Sequence, residues 1–260
     1  TQHQQKLFGE EEVKPAVLKH VGTETTDYKA IATKHEFERF LEELKAQKRV
    51  SFDIETTSQS AREAEIVGLA FSWEPGRARY VACSAPDGAS CCECGWVLER
   101  LKPLLESEEL ELVGQNLKYD AVVCRNYGIR LRGIACDTMV ASYLLDPSQH
   151  RHGLDELARR VLGYEKIKTT DLLGKRKAQK NMREIEVEQV TPYACEDADI
   201  ALQLSRELMP KLEENNLATL FADIEMKLLP VLVDMEWTGI KVDRPHLERL
   251  SEEFDAELRQ

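Results

Sequence analysis

Apolar residues recur along this chain in two rhythms, and the places where the rhythm changes mark out its elements. In KHEFERFLEELKAQK, Phe37, Phe40, Leu41 and Leu44 fall at helical spacing, which predicts an amphipathic helix. The next apolar segments, RVSFDIE, EIVGLAFSW and RARYVACS, are rich in strand formers and predict three strands. EPGRA lies between the last two, and its Pro-Gly predicts a hairpin turn.

Beyond that point helical and strand patterns alternate. GWVLERLKPLLES predicts a helix with Pro103 as a candidate kink, and LELVG a short strand. NLKYDAVVCRNYG predicts a helix capped by Asn116 and stopped at Gly128. RGIAC follows as a strand, and DTMVASYLLDP as a helix capped by Asp137 and ended near Pro147. DELARRVLG is helical in pattern, and TPYACEDADIALQLSREL predicts a long helix opening with Thr191 as cap and Pro192 in its first turn. Residues 1–25 are polar and weakly patterned, as in a tail or linker. An antiparallel start followed by alternation predicts an α/β fold, a mixed sheet with helices on its faces.

Composition adds limits. With 260 residues and 42% hydrophobic content, the chain can bury a sizeable core. No apolar run approaches the roughly 20 residues of a membrane helix, and the N-terminus shows no signal core, so a cytoplasmic protein without membrane contact is expected. Seven cysteines show no disulfide framework. Cys83, Cys91, Cys92 and Cys94 cluster, but Cys92 and Cys94 are too close for zinc-site spacing and no histidine lies nearby. The net charge of −12 argues against nucleic acid, yet KIKTTDLLGKRKAQKNMR, Lys166 to Arg183, gathers seven basic residues against one Asp.

Three acidic sites then change the picture. Asp53 and Glu55 alternate on a strand, so both carboxylates share a face. Asp120 lies one turn into a helix that follows a strand. Asp197 stands four residues after Tyr193, on a helical face continued inward by Ile200, Ala201 and Leu204. A lone inward carboxylate is costly, so pairing or metal binding is expected. Four carboxylates converging on one cleft would bind two hard divalent cations, and two metals about 4 Å apart suit in-line attack at phosphorus.

FDIET, GQNLKYD and YACEDAD resemble the three motifs of DEDD-type 3′–5′ exonucleases, with Tyr193 marking the DEDDy branch. The chain from about residue 25 onward is most similar to the proofreading domain of family A bacterial DNA polymerases, the Klenow type. NYGIRLRGIACDTMVASYLLDP, LLGKRKAQ and EMKLLPVLVDMEWTGIKVD carry the same resemblance. It implies a ribonuclease-H-like fold and release of 5′-mononucleotides from a single-stranded DNA 3′ end, in a bacterial cytoplasm. It further implies two divalent ions, Mg²⁺ with Mn²⁺ or Zn²⁺ as substitutes. Asp53, Glu55 and Asp197 would hold the tighter metal; Asp53 would bridge to the second, and Asp120 would reach it through water. Tyr193 and Glu55 would orient the attacking water. Thr56 would lie near the terminal 3′-hydroxyl, Gln115, Asn116 and Tyr119 along the strand, and Arg151 at a phosphate. His152 carries no such assignment.

Gln59 and Thr169 stand where relatives place apolar wedges, and weaker stacking there would loosen the grip on a frayed end. The resemblance divides the chain into a tail (1–25), an exonuclease domain (26–213) and the start of a polymerase region (214–260). That division implies a monomeric, excised proofreading domain whose natural partner is the polymerase domain of the same parent chain. The apolar stub DIEMKLLPVLVDMEWTGIKVD is then expected to pack back or to expose a patch. Two alternatives stand beside this reading: an RNA-trimming nuclease of the ribonuclease D type, and a non-catalytic strand-binding or bracing domain.

Overall fold

The computed structural model describes residues 26–86, 88–174 and 179–259; the predicted tail and part of the basic run lie outside them. The elements are β1 (Asp27–Ile31), α1 (Lys34–Lys45), β2 (Arg49–Thr56), β3 (Ile66–Glu74), β4 (Arg77–Ala82), α2 (Cys94–Leu105), β5 (Glu111–Gly114), α3 (Leu117–Asn126) and β6 (Ile134–Asp137). They continue with α4 (Thr138–Leu145), α5 (Leu154–Leu157), a π-helical turn (Ala158–Leu162), α6 (Thr169–Leu173), a 3₁₀ turn (Met182–Glu184) and α7 (Val187–Glu214). After α7 come α8 (Ala218–Leu220), a second π-helical turn (Phe221–Glu225), α9 (Met226–Thr238) and α10 (Arg244–Leu258).

Six strands form one mixed sheet in the order β1-β4-β3-β2-β5-β6. β2 to β4 are the antiparallel hairpins that alternation and the Pro75-Gly76 turn predict, with Gly76 supplying the positive φ the turn requires. β1, β5 and β6 pair parallel to their neighbours. β2 therefore lies inside the sheet. On one face Val50, Phe52 and Ile54 bury against Phe37, Phe40, Leu101 and Val122 of α1, α2 and α3. Ser51, Asp53 and Glu55 point to the other face, where α7 lies across β1 to β5. There α7 packs through Ala194, Cys195 and Ala198 on Val67, Ala70, Ala78 and Ala82.

Several expectations are corrected. β1 was not predicted: DYKAI carries a weak apolar pattern, and pairing with β4 plus the Arg79 Nη2–Asp27 Oδ2 contact at 2.7 Å holds it. α7 begins at Val187, four residues before the expected cap, because Val187 and Val190 bury their side chains. Thr191 instead donates its hydroxyl to the Val187 carbonyl at 2.6 Å. The helix expected in DELARRVLG is a short α5 that widens into a π-helical turn. The cysteines are free, as expected, and α2 starts at Cys94 under the Glu93 carboxylate.

The apolar segment after α7 both packs back and leaves a patch exposed. α9 packs back on α3 through Leu229 and Val233, reinforced by Arg125–Asp234 at 2.9 Å and by an ion pair between Lys118 and Glu236. Its outer side and α10 leave Val231, Met235, Leu247, Phe254 and Leu258 exposed. Among the described residues, no helix is long and apolar enough to cross a membrane.

Candidate active site

Asp53 and Glu55 reach the α7 face of the sheet because alternate residues of β2 share that face. α7 brings Asp197 down onto them. Asp53, Glu55 and Asp197 each offer an oxygen such that all three lie within 4.8 Å of one another. Glu55 and Asp197 are buried and Asp53 is half-buried. Burial, then the Asp197 charge, pushes the Asp53 carboxyl up to about 7. Burial, then Asp53, holds Glu55 well above the ordinary glutamate range, and burial also raises Asp197. Buried oxygen donors crowded at one point, where the neighbouring carboxylates raise Asp53 and Glu55, fit a hard divalent cation, which would supply the charge they lack.

Asp120 stands beside this trio rather than within it. It is buried, its pKa is raised by burial and then by Asp53, and its Oδ1 accepts from the Ile54 amide at 3.1 Å. α3, which carries it, begins in an unexpected way. Asn116 does not cap the helix; it sits in the left-handed region at φ 58° with no side-chain cap bond. The cap comes from Asp137, whose carboxylate accepts from the amides of Asn116 (3.1 Å) and Leu117 (2.8 Å) and from Met139 and Val140 of α4. Asp137 thus starts two helices, of which only α4 was legible in sequence.

Tyr193 lies one turn from Asp197 on α7, and its hydroxyl meets Thr169 Oγ1 at 2.8 Å. Burial, then Asp197 and Glu55, drives the phenol far above its ordinary pKa, so it stays a neutral hydroxyl. Lys166 was not singled out, because it was one of seven basic residues in a run. Its Nζ lies 2.8 Å from Asp197 Oδ1, 3.2 Å from Asp155 Oδ1 and 4.7 Å from the centre of the Tyr193 ring. Burial pulls the ammonium toward neutrality, but Asp197 and Asp155 more than offset this and hold its pKa above the usual lysine range.

A groove of about 860 Å³ opens beside the cluster and reaches it at Glu55, lined also by Thr56, Gln59, Asn116, Tyr119, Thr169, Asn181 and Tyr193 among others; Asp53, Asp120 and Asp197 are not among its lining residues. Thr56 Oγ1 and Tyr119 Oη meet at 2.5 Å, and both hydroxyls reach the Ser58 carbonyl. Gln59, Asn116 and Tyr119 also line an adjoining pocket of about 320 Å³ with Arg62 and Lys118. Gln115 and Arg151 are not among the residues lining this groove. Gln115 is occupied by its Nε2 on the His152 carbonyl (2.8 Å) and its Oε1 on Thr138 Oγ1 (2.5 Å), and Arg151 is exposed. His152 Nδ1 meets Ser142 Oγ at 2.9 Å, a structural placement. A separate cavity of about 520 Å³ between α3, β6 and α9 contains none of the predicted site residues.

A family model described as 3′–5′ exonuclease matches residues 28–213. The chain is 40% identical over 237 residues to DNA polymerase I of Pseudomonas aeruginosa, covering 89% of this chain and 26% of that protein. It is 37% identical over 236 residues to DNA polymerase I of Rhizobium leguminosarum, covering 84% and 23%. The chain thus spans about a quarter of the length of these relatives. Among solved structures, the POL domain of Pol1 from M. smegmatis in complex with DNA primer-template and dNTP aligns with a TM-score of 0.69 at 23% identity, covering 88% of this chain and 35% of that one. Brucella melitensis NrnC bound to pGG aligns at 0.59 and 20% identity, covering 75% and 87%. These likenesses establish the shared ribonuclease-H-like sheet.

Proposed function

The chain belongs to the 3′–5′ exonuclease family, and we propose that it removes 3′-terminal nucleotides from single-stranded or frayed DNA with Mg²⁺ or Mn²⁺, as the proofreading part of a DNA polymerase I. The single observation that carries the reading is the convergence of Asp53, Glu55 and Asp197, next to an open groove that Glu55 and Tyr193 line. Divalent cations bound there would lower the pKa of a nucleophilic water and offset charge on the leaving oxygen.

The chain's own residues have separate tasks. Asp53, Glu55 and Asp197 would hold the tighter ion, while Asp120, set apart and fixed by the Ile54 amide, would serve the second ion from a distance. Tyr193 is too weak an acid to act as a phenolate base, so it orients the water as a neutral hydroxyl. Glu55 accepts the other hydrogen of that water. Thr56 and Tyr119, already in contact, form the floor on which the terminal nucleotide rests. The Thr169 and Tyr193 hydroxyls share a hydrogen bond, so this side of the groove offers a polar contact instead of an apolar wedge. Gln115 and Arg151 would touch substrate only farther along the strand.

Residues 26–213 would form the exonuclease domain and 214–260 the first helices leading toward a polymerase domain. The exposed apolar side of α9 and α10 is consistent with such a neighbour. A ribonuclease D type of activity shares the fold and is less favoured, since the relatives described above are DNA polymerases.

The test is digestion of a 5′-labelled single-stranded oligonucleotide. Stepwise release of mononucleotides in Mg²⁺, abolished in Asp53→Ala and in excess EDTA, is the expected result. Undiminished turnover by that variant would exclude the mechanism. Preference for an RNA end over the matching DNA end would favour the ribonuclease reading.

A further inference from the structure

Lys166 is a buried ammonium whose position is built rather than incidental. Its side chain is 2% exposed, against 58% for its outer partner Asp155. The residues on either side of it are anchored to one carboxylate, the fully buried Glu196. Tyr164 Oη donates to Glu196 Oε1 at 2.7 Å, and the Ile167 amide donates to Oε2 at 2.6 Å. Glu196 immediately precedes Asp197 on α7. One residue of the helix therefore clamps the segment, and the next receives its ammonium. The same Nζ donates to the Ile167 carbonyl at 3.1 Å, which fixes its direction.

We infer that Lys166 is a positioning residue of the carboxylate site, a fixed cation that holds Asp197 in place and competes with a divalent cation for its Oδ1. The inference rests on the metal-site reading above and deepens it. Without metal, the ammonium offsets one charge of a cluster whose members lie within 4.8 Å of one another. With metal, the same ammonium shares Asp197 and repels the incoming ion, since like charges a few ångströms apart in a poorly solvated site interact strongly. The two effects have opposite signs, and that pairing distinguishes this role from ordinary packing.

Lys166→Met keeps the length of the side chain and removes the charge. In EDTA the variant is expected to melt below the wild type. Its affinity for Mn²⁺ alone, measured by calorimetry on the full chain, is expected to rise on the order of tenfold as the repulsion disappears. Asp155→Asn is the second variant, chosen because Asp155 is exposed and Asn keeps its size. It deprives the ammonium of its outer carboxylate, leaves it to Asp197 and the Ile167 carbonyl, and should weaken Mn²⁺ binding. Unchanged or weaker Mn²⁺ binding in Lys166→Met would overturn the inference; if that variant does not fold, Mn²⁺ affinity in Asp155→Asn that is unchanged or higher would do so. Absence of Mn²⁺ binding by the wild type would instead overturn the metal-site reading, and with it this one.

Discussion

Replacing Asp53 by Asn should make the metal-free protein more stable while destroying its activity. The Asp53 carboxyl is pushed from 3.8 to about 7 by burial and by Asp197. A folded-state pKa above the unfolded one means that the folded chain holds the extra proton. Stability from this group is therefore complete below about pH 4 and is lost as pH rises through about 7. Relative to a neutral Asn, the wild type loses about 2–3 kcal/mol between about pH 5 and about pH 8, at ~1.4 kcal/mol per pH unit of proton uptake. In a chain of this size that corresponds to roughly 5–10 °C in melting temperature. The assay is thermal unfolding of both proteins in EDTA across that range, read as the difference between them so that titrations not coupled to Asp53 cancel, leaving those of Asp53 and of Glu55 and Asp120, whose pKa values its charge raises. The gap should open with rising pH. Added Mn²⁺ should then stabilise the wild type and leave the variant nearly unmoved. A gap that stays constant or closes as pH rises would refute the electrostatic account of the cluster.

Three further outcomes follow from single contacts. Asp137→Ala removes the acceptor for four backbone amides at the starts of α3 and α4, and urea titration should show a loss of about 3 kcal/mol, with activity falling as Asp120 shifts. Tyr193→Phe keeps the buried ring and deletes the hydroxyl; kcat should fall roughly 10- to 100-fold with little change in KM or melting temperature, and an unchanged kcat would remove Tyr193 from the chemistry. Gly68→Ala would place a Cβ 2.3 Å from the Tyr80 ring, which lies beside the strand position paired with Glu55, and should cost about 1–3 kcal/mol by chemical denaturation.

What could be read from sequence was whatever depends on neighbours a few residues away. The alternation of Phe52, Asp53, Ile54 and Glu55 set both the strand and the shared face of the acids. The spacing from Tyr193 to Asp197 likewise set one face of α7. What escaped depends on partners far along the chain. Asn116 has the composition of a cap, but the acceptor that starts α3 belongs to Asp137, 21 residues on. β1 has too few apolar residues to announce itself and exists because β4 offers it an edge. Lys166 had the same composition as the lysines around it, and only the approach of α7 separates it from them. Gln115 and Arg151 carried a resemblance but not a local geometry; the fold engages Gln115 with the His152 carbonyl and Thr138 and leaves Arg151 exposed.

The carboxylates cannot have assembled for their own sake, since each raises the cost of ionising the next. Their convergence has to be imposed by packing on both faces of β2. On one face Phe52 and Ile54 are nearly inaccessible to solvent, and a one-residue slip of register would exchange them for Asp53 and Glu55, so the acids are held in place by the apolar residues between them. On the other face the contact with α7 is made largely by small residues, Ala194 and Ala198 against Ala70, Ala78 and Ala82, and this lets the helix lie close enough to bring Asp197 to the strand. Burial of each large apolar side chain contributes about 1.5–3 kcal/mol, so one or two of them offset the cost of ionising Asp53 in its buried, crowded position. The fold therefore has ample energy to hold an unfavourable cluster, whose cost a bound cation would offset. That balance is why the same substitution, Asp53→Asn, which removes both the cost and a candidate ligand, is expected to strengthen the empty protein and abolish its activity.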